Sequence, residues 1–174
     1  FRSTNYVLHG EDSTLDRVPM AEFSKLKTVD RSEIESYGGI QNLMREYLRK
    51  PEVEQPLSIA VFGPPGSGKS FGVKQVAESV APGKIEELEF NLSQLEDSRD
   101  LITAFHRVRD EAFGDKVPLV FFDEFDSRLD KPLGWLKHFL APMQDGQFRD
   151  GESFHPIGRA IFVFAGGTCH SFEE

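Results

Sequence analysis

Along most of the chain, short runs of consecutive apolar residues alternate with stretches in which apolar residues recur at helical spacing. Leu57-Ser58-Ile59-Ala60-Val61-Phe62 is a mostly apolar, β-branched run that predicts a buried parallel strand. Val73, Val76, Ala77 and Val80 then follow a helical period until Pro82-Gly83 ends it. Residues 85–92 predict a strand through Ile85, Leu88, Phe90 and Leu92, and Leu101, Ile102, Phe105, Val108 and Ala112 predict a helix ended by Gly114. Leu119-Val120-Phe121-Phe122 reads as a further buried strand and Ala160 to Phe164 as the last one. Between them, Asp130 is expected to cap a helix with Pro132 in its first turn and Leu133, Leu136, Phe139, Leu140 and Met143 inward, bent or ended by Pro142. Nearer the start, Ile40, Leu43, Met44, Tyr47 and Leu48 share one helical face that stops at Lys50, because Pro51 disfavours helix in the residue before it. Residues 1–36 are polar and weakly periodic, an extended lead-in with a short strand near Phe23 to Val29. The alternation implies one α/β domain, a three-layer αβα sandwich around a mostly parallel, doubly wound sheet.

The loop between the first buried strand and its helix carries the strongest chemistry. Gly63-Pro64-Pro65-Gly66-Ser67-Gly68-Lys69-Ser70 matches the G-x-x-x-x-G-K-[ST] pattern in full. Its glycines let successive backbone N–H groups turn inward on an anion without a Cβ in the way. Lys69 would reach the β- and γ-phosphates of a nucleotide, Ser70 would offer its hydroxyl to Mg²⁺, and the following helix would aim its positive end at the same oxygens. The alternative, a glycine-rich turn that merely satisfies the pattern, is disfavoured by the strand predicted before it and the helix predicted after it.

A second apolar run, Leu119 to Phe122, ends in adjacent carboxylates, Asp123 and Glu124. At a strand end Asp123 suits a hard cation that keeps several waters. Successive strand residues face opposite sides, so Asp123 can serve the metal while Glu124, pointing elsewhere and released into the cleft, orients or deprotonates water. Standing alone, Asp-Glu-Phe-Asp would read equally well as a solvated acidic turn.

Composition narrows the function classes. The chain has 174 residues, of which 39% are hydrophobic and 28% charged, enough for one globular α/β core thickened by 16 phenylalanines. A net charge of −9 and a pI near 5.1 argue against a broad nucleic-acid-binding face, which needs clustered Lys and Arg. A single cysteine, Cys169, permits no internal disulfide and fits a reducing, cytoplasmic setting. His9, His106, His138, His155 and His170 have no metal-ligand spacing with cysteine and read as surface or packing residues. No apolar stretch is long enough to cross a bilayer and no signal-peptide pattern opens the chain, so no membrane partner is expected. A first residue Phe1 in place of methionine suggests a processed or excised chain. The absence of an Asn-Lys-x-Asp segment disfavours guanine recognition.

Gly63 to Ser70, then Asp123-Glu124, then a strand ending Phe164-Ala165-Gly166-Gly167-Thr168 together resemble the Walker A, Walker B and sensor 1 segments of the AAA+ ATPases, in that order. The resemblance spans about residues 36 to 174, so the lead-in is 1–36 and the nucleotide-binding core 37–174. It implies the family's strand order 5-1-4-3-2, with the sensor 1 strand between the two Walker strands. It also implies ATP and Mg²⁺ as cofactors, with Ser70 and Asp123 at the metal, Lys69 and Glu124 catalytic, and Thr168 facing the γ-phosphate in place of the more frequent asparagine. Nucleotide contacts would run from Gly63 through Pro64, Pro65, Gly66, Ser67, Gly68, Lys69 and Ser70 to Phe71. Tyr37-Gly38-Gly39-Ile40, placed just before the first helix, resembles the segment that covers adenine, a plain turn being the alternative. Asn91 stands where several members carry a polar residue that restrains the Walker B glutamate, an ordinary strand-end asparagine being the alternative.

Departures from the family bear on function. Ser93 to Ser98 holds no pore aromatic, which favours remodelling of an unidentified protein partner, or a nucleotide-controlled switch, over polypeptide threading. Gln144 to Gly151 resembles a loop or hairpin that precedes sensor 1 in Clp-like members. The chain stops at Glu174, so the fifth strand, arginine finger and helical lid with sensor 2 are not expected within it, and the isolated chain is expected to hydrolyse little ATP. Arg128, Arg149 and Arg159 are candidate trans-acting cations or, alternatively, ordinary surface charges. The expectation is the core of a ring-forming homo-oligomeric ATPase, with a nucleotide-dependent STAND-type signalling switch as the competing class.

Overall fold

The computed structural model describes residues 19–63, 66, 68–127 and 134–167. Two three-residue strands, β1 (Ala21–Phe23) and β2 (Leu26–Thr28), form an antiparallel hairpin turned at Ser24, whose φ is 52°. Where the sequence predicts one short strand in an extended lead-in, the chain folds back. Phe23 is buried and meets Tyr37 edge-to-face at 5.9 Å, and Lys25 N donates to Gln75 Oε1 at 3.0 Å. An unpaired strand here would leave Phe23 in water.

Helix α1 (Arg31–Arg49) starts earlier than its apolar pattern predicts. Asp30 caps it, accepting from Glu33 N at 3.0 Å, and Glu33 in turn accepts from Thr28 Oγ1 at 2.6 Å. The helix therefore passes through Gly38 and Gly39, although each glycine costs about 1 kcal/mol relative to alanine in a helix interior. Burial of Met44 and Tyr47 offsets that cost, while Leu43, expected inward, is 50% exposed. Tyr47 anchors the far end: its hydroxyl donates to Gln55 O and accepts from Ala160 N, and Arg159 stacks on its ring and donates to its carbonyl.

Four parallel strands form the central sheet in the order β3 (Leu57–Phe62), β8 (Ile161–Gly166), β5 (Val117–Asp123), β4 (Ile85–Asn91). The last strand in sequence thus lies between the two strands that carry the loop and the carboxylates, as the family resemblance implies. β5 and β8 are buried on both faces by residue parity. Leu119, Phe121, Ile161 and Val163 pack with Met44 and Tyr47 of α1 and with Val73, Val76 and Ala77 of α2 (Lys69–Val80). Val120, Phe122, Phe162 and Phe164 pack on the other side with Leu101, Phe105 and Val108 of α3 (Ser98–Ala112) and with Phe139 of α4 (Leu136–Asp145). The result is the expected αβα sandwich.

Some details depart from the sequence pattern. β3 is an edge of the described sheet, so Ala60 and Phe62 are exposed in a strand predicted to be buried. In α4, Phe139 is buried but Leu140 is 53% exposed, and the helix continues past Pro142 to Asp145. The cap and first turn predicted at Asp130, Pro132 and Leu133 lie outside the described residues. The Gln144 to Gly151 stretch enters a hairpin, β6 (Gln147–Asp150) with β7 (Ser153–Pro156), that turns at Gly151. Arg149 donates within that hairpin to Gly151 O, and Arg159 is committed to Tyr47; Arg128 is outside the described residues.

Phe122 is the hub of the second cluster, with ring centroids 4.7 Å from Phe139, 5.2 Å from Phe162 and 5.5 Å from Phe164. Phe122→Ala should therefore destabilise the chain by about 3–5 kcal/mol, read as a lowered urea midpoint with an unchanged m-value.

Candidate functional site

The parallel register brings the carboxyl ends of the four strands to one edge: Phe62 pairs with Gly166, Asp123 with Ala165, and Asn91 with Asp123. Loops at this edge of an open α/β sheet form its ligand crevice. Two cavities meet there at Lys69. One, of about 260 Å³, is lined by Gly66, Ser70, Asn91, Asp123, Glu124 and Gly167 among others. The second, of about 520 Å³, lies between the start of α1 and the end of β3 and is lined by Ser32, Ser36, Tyr37, Ile40, Val61, Phe62 and Gly63 among others.

Between β3 and α2, Gly63, Gly66 and Gly68 all take positive φ (153°, 76° and 77°). These conformations are strained for any residue with a Cβ. Gly68 is the N-cap of α2 and supplies no side-chain cap, which leaves the first-turn N–H groups directed at the cavity end of the helix. Lys69 is the first helical residue, and its Nζ donates to Gly63 O at 2.6 Å, bridging the two ends of the loop. Ser70 follows in the same turn and lines the smaller cavity. Phe71 is half exposed. Pro64, Pro65 and Ser67 lie outside the described residues.

Asp123 ends β5, and Glu124 leaves the strand with φ of 53°, a left-handed conformation that costs a residue with a Cβ about 1–3 kcal/mol. Strand parity alone would send the two carboxylates to opposite faces; the turn instead releases Glu124 into the cleft, where the sequence analysis expects it. Because Glu124 sits in a turn, closed by Ser127 N donating to Glu124 O at 2.8 Å, both carboxylates line the same cavity. Phe125 fastens this turn by packing on the bare Cα of Gly166 and against the rings of Phe62 and Phe164.

Burial pushes the Asp123 carboxyl above the ordinary aspartate value, and the charge and hydrogen bond of Glu89 push it further, partly offset by Lys74. Lys74 bridges Glu87 at 3.0 Å and Glu89 at 3.8 Å while its ammonium lies over the Phe121 ring. Glu89 was not among the sequence candidates. Its parity with Asn91 on β4, beside Asp123 in a parallel register, is the signal that exposes it. A carboxylate of raised proton affinity, crowded by other carboxylates, fits a hard divalent cation whose charge relieves the repulsion.

Asn91 does line the cavity, and its side chain also has a local task. Its Oδ1 accepts from Ser93 N at 2.9 Å and from Ser93 Oγ at 2.7 Å, capping the short 3₁₀ turn Leu92–Gln94. Gly38 and Gly39 are corrected: they lie inside α1, a Cβ on either would meet nothing, and neither lines the larger cavity. Tyr37, one residue earlier, lines it instead, with its hydroxyl end against Gly72 of α2. The capped helix start at Asp30 turns the Gly-Gly pair away. β8 leads to Gly167 at the cavity, while Thr168 lies outside the described residues.

The profile of the family described as "ATPase family associated with various cellular activities (AAA)" matches residues 59–159. A proteasome-associated ATPase of Acidothermus cellulolyticus is 30% identical over 135 residues, covering 67% of this chain and 23% of that protein. An "AAA ATPase forming ring-shaped complexes" of Bifidobacterium adolescentis is 30% identical over 132 residues, covering 68% of this chain and 25% of that protein. The chain thus spans about a quarter of the length of these curated relatives. Among solved structures, NtrX from Brucella abortus in complex with ADP aligns with 97% of this chain and 37% of that chain at 19% identity and a TM-score of 0.49.

The raised Asp123 carboxyl sets a pH dependence. Between the ordinary aspartate value and the raised one, the folded chain binds more protons than the unfolded chain, so stability falls as pH rises through that window. The penalty is absent below the window and complete above it. Asp123→Asn should flatten this slope and leave the chain more stable than wild type at pH 7, measured by urea denaturation with a metal chelator present.

Proposed function

Because the chain belongs to the AAA ATPase family, as the match over residues 59–159 shows, we propose that it is the nucleotide-binding core of an ATP hydrolase. The observation that carries the proposal is the meeting of the two cavities at Lys69. The smaller is lined by Gly66 of the loop, by Lys69 and Ser70 at the helix N-terminus and by the carboxylates, which suits triphosphate. The larger is walled by Tyr37, Ile40, Val61 and Phe62, which suits a planar base with a ribose near Ser32 and Ser36.

In this reading the N–H groups of the loop and of the first turn of α2 hold the β- and γ-phosphates, and the Lys69 ammonium exchanges the Gly63 carbonyl for phosphate oxygen. Ser70 and Asp123 would hold Mg²⁺, which would neutralise phosphate charge when bound. Glu124 orients the attacking water and accepts its proton on the side-chain carboxylate, from a left-handed turn that Phe125 packing holds at the cavity. Asn91 restrains Glu124 through its amide N–H₂, the half of the side chain left over from capping, and Thr168 completes the γ-phosphate contacts.

A ring of identical subunits that remodels a protein partner is proposed for the whole protein. Relatives described as proteasome-associated and as forming ring-shaped complexes support it. In the full-length protein, Lys69→Ala should abolish ATP binding. Glu124→Gln should retain binding and lower turnover by about 10² to 10⁴, separated by fluorescent-nucleotide titration and phosphate release. Equal loss of binding in both variants would assign Glu124 another role.

A further inference from the structure

Away from the nucleotide site, His106, Asp150 and His155 converge from three elements: α3, the end of β6, and β7. Their ligand atoms all lie within 4.8 Å of one another, and His106 Nε2 is 3.0 Å from Asp150 Oδ2. None of the three lines either cavity described above. We propose that they bind one divalent transition-metal ion of the zinc class, which clips the β6–β7 hairpin onto α3.

The donor set supports that class. Two imidazoles and one carboxylate suit zinc, cobalt or nickel, whereas Mg²⁺ and Ca²⁺ prefer all-oxygen sets. Metal–ligand distances of about 2.0–2.2 Å put two ligands of one tetrahedral ion on the order of 3–3.5 Å apart. The His106–Asp150 pair already meets that spacing, and His155 needs to approach by roughly an ångström. Water would complete the coordination.

The imidazoles are held in place without an ion. Buried Phe148 meets the His106 ring edge-on at 4.8 Å and the His155 ring at 5.5 Å, and it is the cross-strand partner of His155. Such ordering lowers the entropic cost of binding. One group opposes the ion: Arg109 Nη1 lies 3.5 Å from His155 Nδ1. Its Nε and Nη2 already pair with Asp110, which gives the guanidinium an alternative partner as the ion enters.

The metal-free chain is titrated with Co²⁺ in excess Mg²⁺, which occupies oxygen sites but does not compete for imidazole. Expected are visible ligand-field bands saturating at one Co²⁺ per chain, reversed by Zn²⁺, with shifts of the His106 and His155 ring resonances on Zn²⁺ addition. His106→Gln and His155→Gln should each weaken binding by at least about 10-fold, and Arg109→Gln should tighten it. The proposal is overturned if no saturable bands form or if the two ring resonances stay in place. Full binding in the His106→Gln/His155→Gln chain overturns it too, since the ion would then sit on other groups, such as Asp123 if Asp123→Asn removes it.

Discussion

Burial of both faces of β5 and β8 is the constraint on which the rest of the molecule depends. Each strand feeds alternate side chains into two separate clusters, Leu119, Phe121, Ile161 and Val163 to one side and Val120, Phe122, Phe162 and Phe164 to the other. A slip of one residue in either strand would exchange the two sets and misfit α1 and α2 on one face and α3 and α4 on the other. The register is therefore held by packing, and with it the alignment of Gly166, Asp123 and Asn91 at one edge. The site inherits its geometry from a core that touches no ligand.

At that edge the chain departs from regular structure in a consistent way. Gly63, Gly66 and Gly68 take positive φ where backbone N–H groups must face inward, and Glu124 takes it despite having a Cβ. The first departures are cheap because glycine lacks the clash, whereas the second is paid for by Phe125, wedged between Phe62, Phe164 and Gly166. An aromatic cluster on the core side thus holds a carboxylate on the solvent side. The same logic ties α1 to the sheet through Tyr47 and Arg159, a contact that joins residues far apart in sequence and keeps the wall of the larger cavity in position.

How much could be read in advance depended on whether the deciding interaction was local. β3 was legible to the residue, because a strand bounded by Pro56 and a glycine loop is defined by its own neighbours. The order of β3, β8, β5 and β4 followed from the family resemblance, and the two-faced core from the unbroken apolar runs. Gly38 and Gly39 were misplaced because the pattern that starts at Ile40 is later than the cap at Asp30 that starts the helix. Leu43 and Leu140 fit a helical stripe, yet among the described residues none covers their side of the helix, and both are about half exposed.

The order of residues along the chain was enough to determine the phosphate loop, the strand ending in Asp123 and the αβα class, since each rests on contiguous residues whose conformational preferences and polarity act over a few positions. Tertiary structure alone decided that Glu124 turns back beside Asp123, that Glu89 presses on that carboxylate, that Tyr37 rather than its glycine neighbours walls the larger cavity, and that His106 meets Asp150 and His155. In each case the partners come from different elements. Their approach is set by how strands register and helices seat on the sheet, which no local preference encodes.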